Sequence, residues 1–283
     1  MFPVAVIKPK KLSEIAAILK SVPGKTRFLA GGTDLCIAAH CGFAREETWL
    51  DISGLKELRG IKIKGKSLYI GAGEKVADIE RSALVEKHAP VLFAAVHRYA
   101  SPTLRNMATL GGNCANASPS ADGACALVAE SASVFIRRGG KTLKMPVEKL
   151  FKGPKCTVLA PGDLITGFEI PLRRNRGVYM KLSARKSFSI SKICMGVSLN
   201  CEKGIIVNAR IAMGAVGPTI KRALEAEKLL EGSKPDIVTL SNAAQAAMDC
   251  VTPIDDQRSS AEYRRAMVGV LLKRAVAQLC GGL

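Results

Sequence analysis

The sequence predicts an α+β chain of three consecutive units, and three observations carry that prediction. Short strands and helices alternate over residues 1–56, the grammar of a small parallel sheet. Residues 57–173 read as hairpin strands on either side of a helical middle, a second α+β unit. From residue 174 to 283, three strand-like runs are followed by segments with apolar residues at helical spacing, a small antiparallel sheet with a helical layer. A chain of 283 residues exceeds one small core and suits two or three compact units.

In the first unit, Ser13 of "KLSEIAAILKSV" stands as an N-cap ahead of Ile15, Ile18, Leu19 and Val22, the pattern of an amphipathic helix. "TRFLA" reads as a short buried strand, "DLCIAAH" as a helix and "TWLDISGL" as another strand. In the second unit, "IKIKGKSLYIGAG" is strand, glycine turn and strand, with helix predicted over 76–85 and 91–99. "SPTLRNMATLGGNCANASPSADG" is crowded with polar and turn residues, and a polar stretch of this length inside a compact domain is usually functional or flexible. "ACALVAE" returns to helix, and "ASVFIRR", "KTLKM" and "DLITGFEIP" read as antiparallel strands.

In the third unit, "GVYMKLSA", "ICMGVSLN" and "GIIVNARIAMGAV" are strands, the last two joined across "CEKG" as a hairpin. Helices follow in "IKRALEAEKLLEG", closed by Gly232, then in "IVTLSNAAQAAM" and "SAEYRRAMVGVLLKRAVAQLCGG".

Composition narrows the function classes. With 48% hydrophobic and 23% charged residues, the chain has the make-up of a soluble globular protein. No apolar run approaches the roughly 20 residues of a membrane span, and "MFPVAVIKPKK" lacks an export signal, so a cytoplasmic location is expected. The nine cysteines include no CxxC pair and sit mostly among small apolar residues, which suits reduced core thiols better than a metal centre. His40, His88 and His97 have no metal-ligand spacing either. The net charge of +18 calls for an anionic partner, whether nucleic acid, an acidic protein or an anionic cofactor. Nucleic acid is the least favoured of these, because only 5% of residues are aromatic and the basic residues are scattered.

Two glycine turns point to the cofactor. In "FLAGGTDL" a strand meets a helix at Gly31 and Gly32, so free amides near Gly31, Gly32 and Thr33 would face outward at the positive end of the helix, an anion seat. "TLGGN", Thr109 to Asn113, has the same ingredients. One such pair is commonly conformational, whereas two could seat the two charges of a diphosphate. Neither GxGxxG nor GxxxxGK[ST] occurs, so a dinucleotide would be held in another way.

"LAGGTDL", "RNMATLGGNCANASPSAD" and "DDQRSSAEYRRAMVGVLLKRA" together resemble the FAD-binding medium subunit of molybdenum hydroxylases, the family of xanthine dehydrogenase and carbon monoxide dehydrogenase flavoproteins. The resemblance spans nearly the whole chain. It implies a non-Rossmann, PCMH-like fold in which two subdomains clasp FAD, followed by a C-terminal domain of sheet and helices. It places Leu29, Ala30, Gly31, Gly32, Thr33, Asp34 and Leu35 in a first FAD turn, and Thr109, Gly111, Gly112 and Asn113 in a second. It further implies Tyr99 near the cofactor, Asp122 bonded to cofactor hydroxyls, Lys181 near the flavin and Ile165 against it. Plainer readings stand beside these: Tyr99 ending a core helix, Lys181 as an exposed strand lysine, Asp122 as a helix cap. The acidic "DIA" stretch common in relatives is replaced here by "FSISK", and the cysteine-bearing insertion of the thioester-reducing branch is absent.

The same resemblance implies an electron-transfer role. A molybdopterin-binding large subunit would oxidise the substrate, and an iron-sulfur small subunit with 2Fe-2S clusters would deliver electrons to FAD on this chain. The acceptor would be NAD, a quinone or oxygen. No general base or nucleophile is implied, since the redox chemistry belongs to the cofactor. The rival expectation, a basic binding or assembly module without functional flavin, draws only on the charge.

Overall fold

The computed structural model describes residues 5–22, 24–43, 47–185 and 188–281. Its first part contains β1 (Ala5–Ile7), α1 (Ile15–Ser21), β2 (Thr26–Leu29), α2 (Leu35–His40) and β3 (Thr48–Asp51). The sheet has the order β1-β3-β2, with both pairings parallel. Strand β1 was not expected from the sequence, because three apolar residues, Ala5, Val6 and Ile7, are too short a run to distinguish strand from helix; in the structure they are exposed, exposed and half-buried. Ser13 does not cap α1. It lies inside a 3-10 turn, Leu12–Glu14, and Glu14 accepts the Lys10 amide at 2.8 Å instead. The core here is small, built on Ile15, Leu50, Ile52, Leu55, Leu58 and Leu164, with Trp49 and Ala39 in a satellite cluster.

The middle of the chain forms β4 (Ile61–Lys64), β5 (Ser67–Gly71), α3 (Val76–Glu80), α4 (Ala83–His88), α5 (Pro90–Val96), α6 (Pro102–Arg105), α7 (Leu110–Ala115) and α8 (Asp122–Ala129). It continues with β6 (Ser133–Arg138), β7 (Lys141–Pro146), β8 (Phe151–Gly153), β9 (Cys156–Thr157) and β10 (Leu164–Pro171). The main sheet runs β4-β5-β10-β6-β7, all antiparallel. The helix expected over 76–85 breaks in two, because Ser82 accepts the Val85 amide and starts α4.

The polar stretch after Tyr99 is not the loop its composition suggests. Ser101 caps α6 through the Leu104 amide at 3.2 Å, and Thr109 caps α7 through the Gly112 amide at 3.1 Å. Ala108, Leu110, Cys114, Ala117 and Ala121, spread along the same stretch, are buried. Small apolar residues separated by capping residues carry no strong periodicity, yet they pack tightly where helices are only a turn or two long.

The last part contains β11 (Arg176–Ser183), β12 (Ser191–Glu202), β13 (Ile205–Gly214), β14 (Lys221–Arg222), α9 (Leu224–Leu230), α10 (Ile237–Asp249) and α11 (Ala261–Cys280). The sheet order is β11-β12-β13-β14, antiparallel throughout. The expected helix around 220 begins later, since Lys221 and Arg222 first pair with Met213 and Ala212. Gly196 lets this sheet close on the middle of the chain: a Cβ there would sit 2.8 Å from the Val91 Cγ1 of α5 and 2.9 Å from the Ala129 Cβ of α8. Among the described residues, no helix is long and apolar enough to cross a membrane.

Candidate cofactor-binding cleft

A cleft of about 700 Å³ lies between the first and middle parts of the chain and is lined by both glycine turns. That volume falls within the range of small-molecule and cofactor sites. The turns touch. A Cβ added to Gly31 would lie 2.1 Å from the carbonyl oxygen of Met107, two residues ahead of the second turn, so only glycine permits this approach. Gly32 has φ +70°, the left-handed conformation needed to swing the chain from β2 into α2.

The two turns differ in their backbone hydrogen bonds. Among the described residues, the amides of Ala30, Gly31, Gly32, Thr33 and Asp34 donate to no protein acceptor. Consecutive open amides beside a cleft form an anion-binding concavity, and since α2 is only six residues long the amides rather than a helix dipole supply it. In the second turn the amides of Leu110, Gly111, Gly112 and Asn113 are all taken, by Glu74 O, Ala72 O, Thr109 Oγ1 and Thr109 O. The glycine at 111 serves packing, because a Cβ there would meet both the Cβ and the carbonyl oxygen of Ala72 at 2.7 Å.

Cationic and polar groups line the rest of the cleft: Arg27, Arg59, Lys75, Asn116 and Lys155, with carboxylates at Asp34 and Asp163. Asn116 donates to Asp34 Oδ1 at 2.7 Å and accepts from Lys155 Nζ at 2.6 Å, a polar chain joining the first turn to the opposite wall. Tyr99 also lines the cleft; its hydroxyl accepts from Asn113 Nδ2 at 3.2 Å, and burial pushes its pKa up to about 12, so the phenol stays protonated.

Of the residues expected at the cofactor, Ala30, Gly31, Gly32, Thr33, Asp34, Leu35, Tyr99, Thr109, Gly111, Gly112, Asn113 and Ile165 line this cleft. Leu29 packs beside Trp49 and Ala39. Asp122 and Lys181 are not in its lining; they form a buried ion pair at 2.7 Å, behind the second turn. Asp122 also accepts from the hydroxyls of Tyr179 at 2.7 Å and Ser191 at 3.1 Å, and Lys181 donates to the Arg98 carbonyl at 3.2 Å. Asp122 is the first residue of α8, with Ala121 at the cap position, so it does not cap that helix. Lys181 instead lines a separate pocket of about 300 Å³ with Arg98 and Arg185.

Sequence reading missed Arg59, Lys75 and Lys155, which have no common spacing and meet only through tertiary pairing. Lys75 reaches the second turn through a backbone bridge to Thr109, and Lys155 is brought in by its amide's bond to the Ala117 carbonyl at 2.9 Å. Asn116 was findable, since it lies inside the second glycine motif.

Comparison with known proteins agrees with this geometry. Residues 2–173 match the FAD binding domain in molybdopterin dehydrogenase, and residues 178–279 match the CO dehydrogenase flavoprotein C-terminal domain. The chain is 28% identical over 258 residues to a xanthine dehydrogenase FAD-binding subunit of Escherichia coli O157:H7, covering 90% of this chain and 88% of that one. It is 29% identical over 270 residues to a carbon monoxide dehydrogenase medium chain of Hydrogenophaga pseudoflava, covering 95% and 94%. A solved structure of carbon monoxide dehydrogenase from Hydrogenophaga pseudoflava, lacking the Mo-pyranopterin moiety of the molybdenum cofactor, superposes with a TM-score of 0.94 at 29% identity over 99% of both chains. The chain therefore belongs to the FAD-binding medium-subunit family of the molybdenum hydroxylases.

Proposed function

We propose that the cleft between the two glycine turns holds FAD, and that the chain relays electrons from a partner's iron-sulfur clusters to an acceptor such as NAD or a quinone. The single observation behind this reading is the row of open amides from Ala30 to Asp34, which faces a cleft of about 700 Å³ and has no protein acceptor among the described residues. Open amides of this kind suit a dianionic diphosphate. When bound, FAD supplies the redox chemistry.

The chain's own residues bind and orient. The amides at 30–34 and the Thr109 hydroxyl are donors toward phosphate oxygens. Leu35, Ala38, Leu159 and Ile165 supply apolar lining that excludes water. Tyr99, held by Asn113 and kept protonated by burial, presents a neutral ring to the cleft. The buried Asp122–Lys181 pair fixes the wall behind the second turn. A molybdopterin-binding large subunit and an iron-sulfur small subunit are the expected partners, as for the named relatives' family.

The test is an absorption spectrum of the purified chain, with its flavin identified after denaturation and counted per chain. About one FAD per chain supports the reading. Colourless protein that takes up no added FAD sinks it.

A further inference from the structure

Two charged groups must be matched when a diphosphate enters a low-dielectric cleft, and the backbone supplies donors on one side only. The first turn offers its amides from Ala30 to Asp34, whereas those of Leu110, Gly111, Gly112 and Asn113 in the second turn are already bonded within the protein. The second turn therefore needs a side-chain donor.

Four basic side chains line the cleft, and their partners separate them. Arg27 holds Glu47 through two contacts. Arg59 lies 3.7 Å from Asp78. Lys155 donates to Asn116 at 2.6 Å and lies 3.6 Å from Asp34. Lys75 has no hydrogen bond or ion pair from its ammonium group among the described residues. Lys75 is itself half-buried and lines the cleft, so its charge is available to a ligand there without first breaking a protein contact.

Its position fits that use. Lys75 is bridged through its backbone to Thr109, the cap of the second turn, and hydrogen bonds from the Val76 amide to Ala108 O at 2.9 Å and from the Leu110 amide to Glu74 O at 3.2 Å flank that bridge. The lysine is thus fixed at the root of the turn whose own amides are occupied. Thr109 accepts the Gly112 amide, which leaves its hydroxyl proton free to donate alongside Lys75.

Given the FAD reading above, we propose that Lys75 is the charge partner of the cofactor's diphosphate on the second wall, taking the place of that turn's amides. The first wall would then bind by backbone and the second by a side chain. Backbone donors tolerate side-chain substitution, whereas a lysine ammonium makes the interaction salt-sensitive and open to mutation.

The experiment measures FAD affinity on the full chain stripped of its flavin, for the unmodified protein, Lys75→Met and Lys75→Arg, over a series of sodium chloride concentrations. A charge-assisted contact of this kind predicts about a 10- to 100-fold weaker FAD affinity for Lys75→Met, with unchanged thermal stability. Lys75→Arg should stay within about 3-fold of the unmodified chain, because the charge is retained. The fall of affinity with salt should be shallower in Lys75→Met than in the unmodified protein. Lys75→Met binding FAD as well as the unmodified chain, or binding it more weakly with the same salt dependence, overturns the proposal while leaving the FAD site standing. Failure of the unmodified chain to take up FAD overturns both.

Discussion

The two walls of the cleft carry the same glycine pair and use it differently. On the first wall, Gly31 allows contact with Met107 and Gly32 turns the backbone, which leaves a row of amides open. On the second, Gly111 lets α7 press against Ala72, the amides are consumed within the protein, and Gly112 has only the Thr109 hydroxyl nearby. Their foundations differ as well. The first turn stands on a three-stranded sheet with a small core, while the second is embedded among α5, α8 and the five-stranded sheet in the largest core of the chain. A repeated motif therefore reports where a backbone must come close, and only the surrounding hydrogen bonds decide whether it also binds.

The largest expected effect comes from the anchor of the second wall. Asp122 and Lys181 are buried together at 2.7 Å, so removing one charge leaves the other without its partner in a poorly solvated site. Lys181→Met should lower unfolding stability by about 3–5 kcal/mol, read by urea denaturation. A loss below about 1 kcal/mol would show that the second wall does not depend on this pair.

Next is a pH dependence built into the same wall. Glu130 is buried and accepts the Val91 amide at 2.7 Å at the start of α5; burial raises its pKa from 4.5 to about 7, against the opposing effect of the backbone amides and Arg173. The folded chain thus binds more protons than the unfolded chain between those two values, and this residue's contribution to stability is full below pH 4.5 and is lost as pH rises through 7. The change is on the order of 3 kcal/mol across that window. Glu130→Gln should flatten that part of the stability profile, measured by denaturant titration at successive pH values. An unchanged profile would remove Glu130 as its source.

The glycines themselves give the sharpest contrast. Gly31→Ala places a methyl group 2.1 Å from a backbone carbonyl, so the turns must separate, at about 1–3 kcal/mol of stability and with FAD uptake lost. Gly112→Ala meets only the capping Thr109 Oγ1, at 2.9 Å, so the hydroxyl must shift and the cap weakens while the helical position gains from alanine, a net loss of at most about 1 kcal/mol. Thermal unfolding of the two variants side by side tests this, and equal losses would erase the distinction between the walls.

Much of the architecture was legible because its signals are local. Helix α11 follows a Ser260 cap and ends at Gly281, with φ +94°, and the β12–β13 hairpin lies where "CEKG" marks a turn. The open first turn was legible too, since its amides depend on the chain's own path through Gly31 and Gly32. What remained hidden depends on distant partners. The acceptors that occupy the second turn's amides include Ala72 and Glu74, far back along the chain, and Asp122 meets Lys181 across a separation of 59 residues. Motif resemblance located these residues without revealing which groups they already satisfy.

The smallest effect is expected at the link between the walls. Lys155 and Asp34 form a pair at 3.6 Å, but their side chains are 61% and 56% exposed, so solvent screens the attraction and ordering the lysine offsets part of it. Asn116 stands between them, and its own bond to Asp34, at 2.7 Å, does not involve the lysine. Lys155→Met should therefore alter stability by at most about 1 kcal/mol, and FAD affinity by at most about 5-fold. That is smaller than the change expected for Lys75→Met, although both lysines line the same cleft. The difference lies in the neighbours each ammonium already has: Lys155 is held by Asn116 and Asp34, so a ligand arriving beside it gains little. If fluorescence titration instead ranked Lys155→Met above Lys75→Met in lost FAD affinity, the second wall would bind through its exposed rim rather than at the root of its turn.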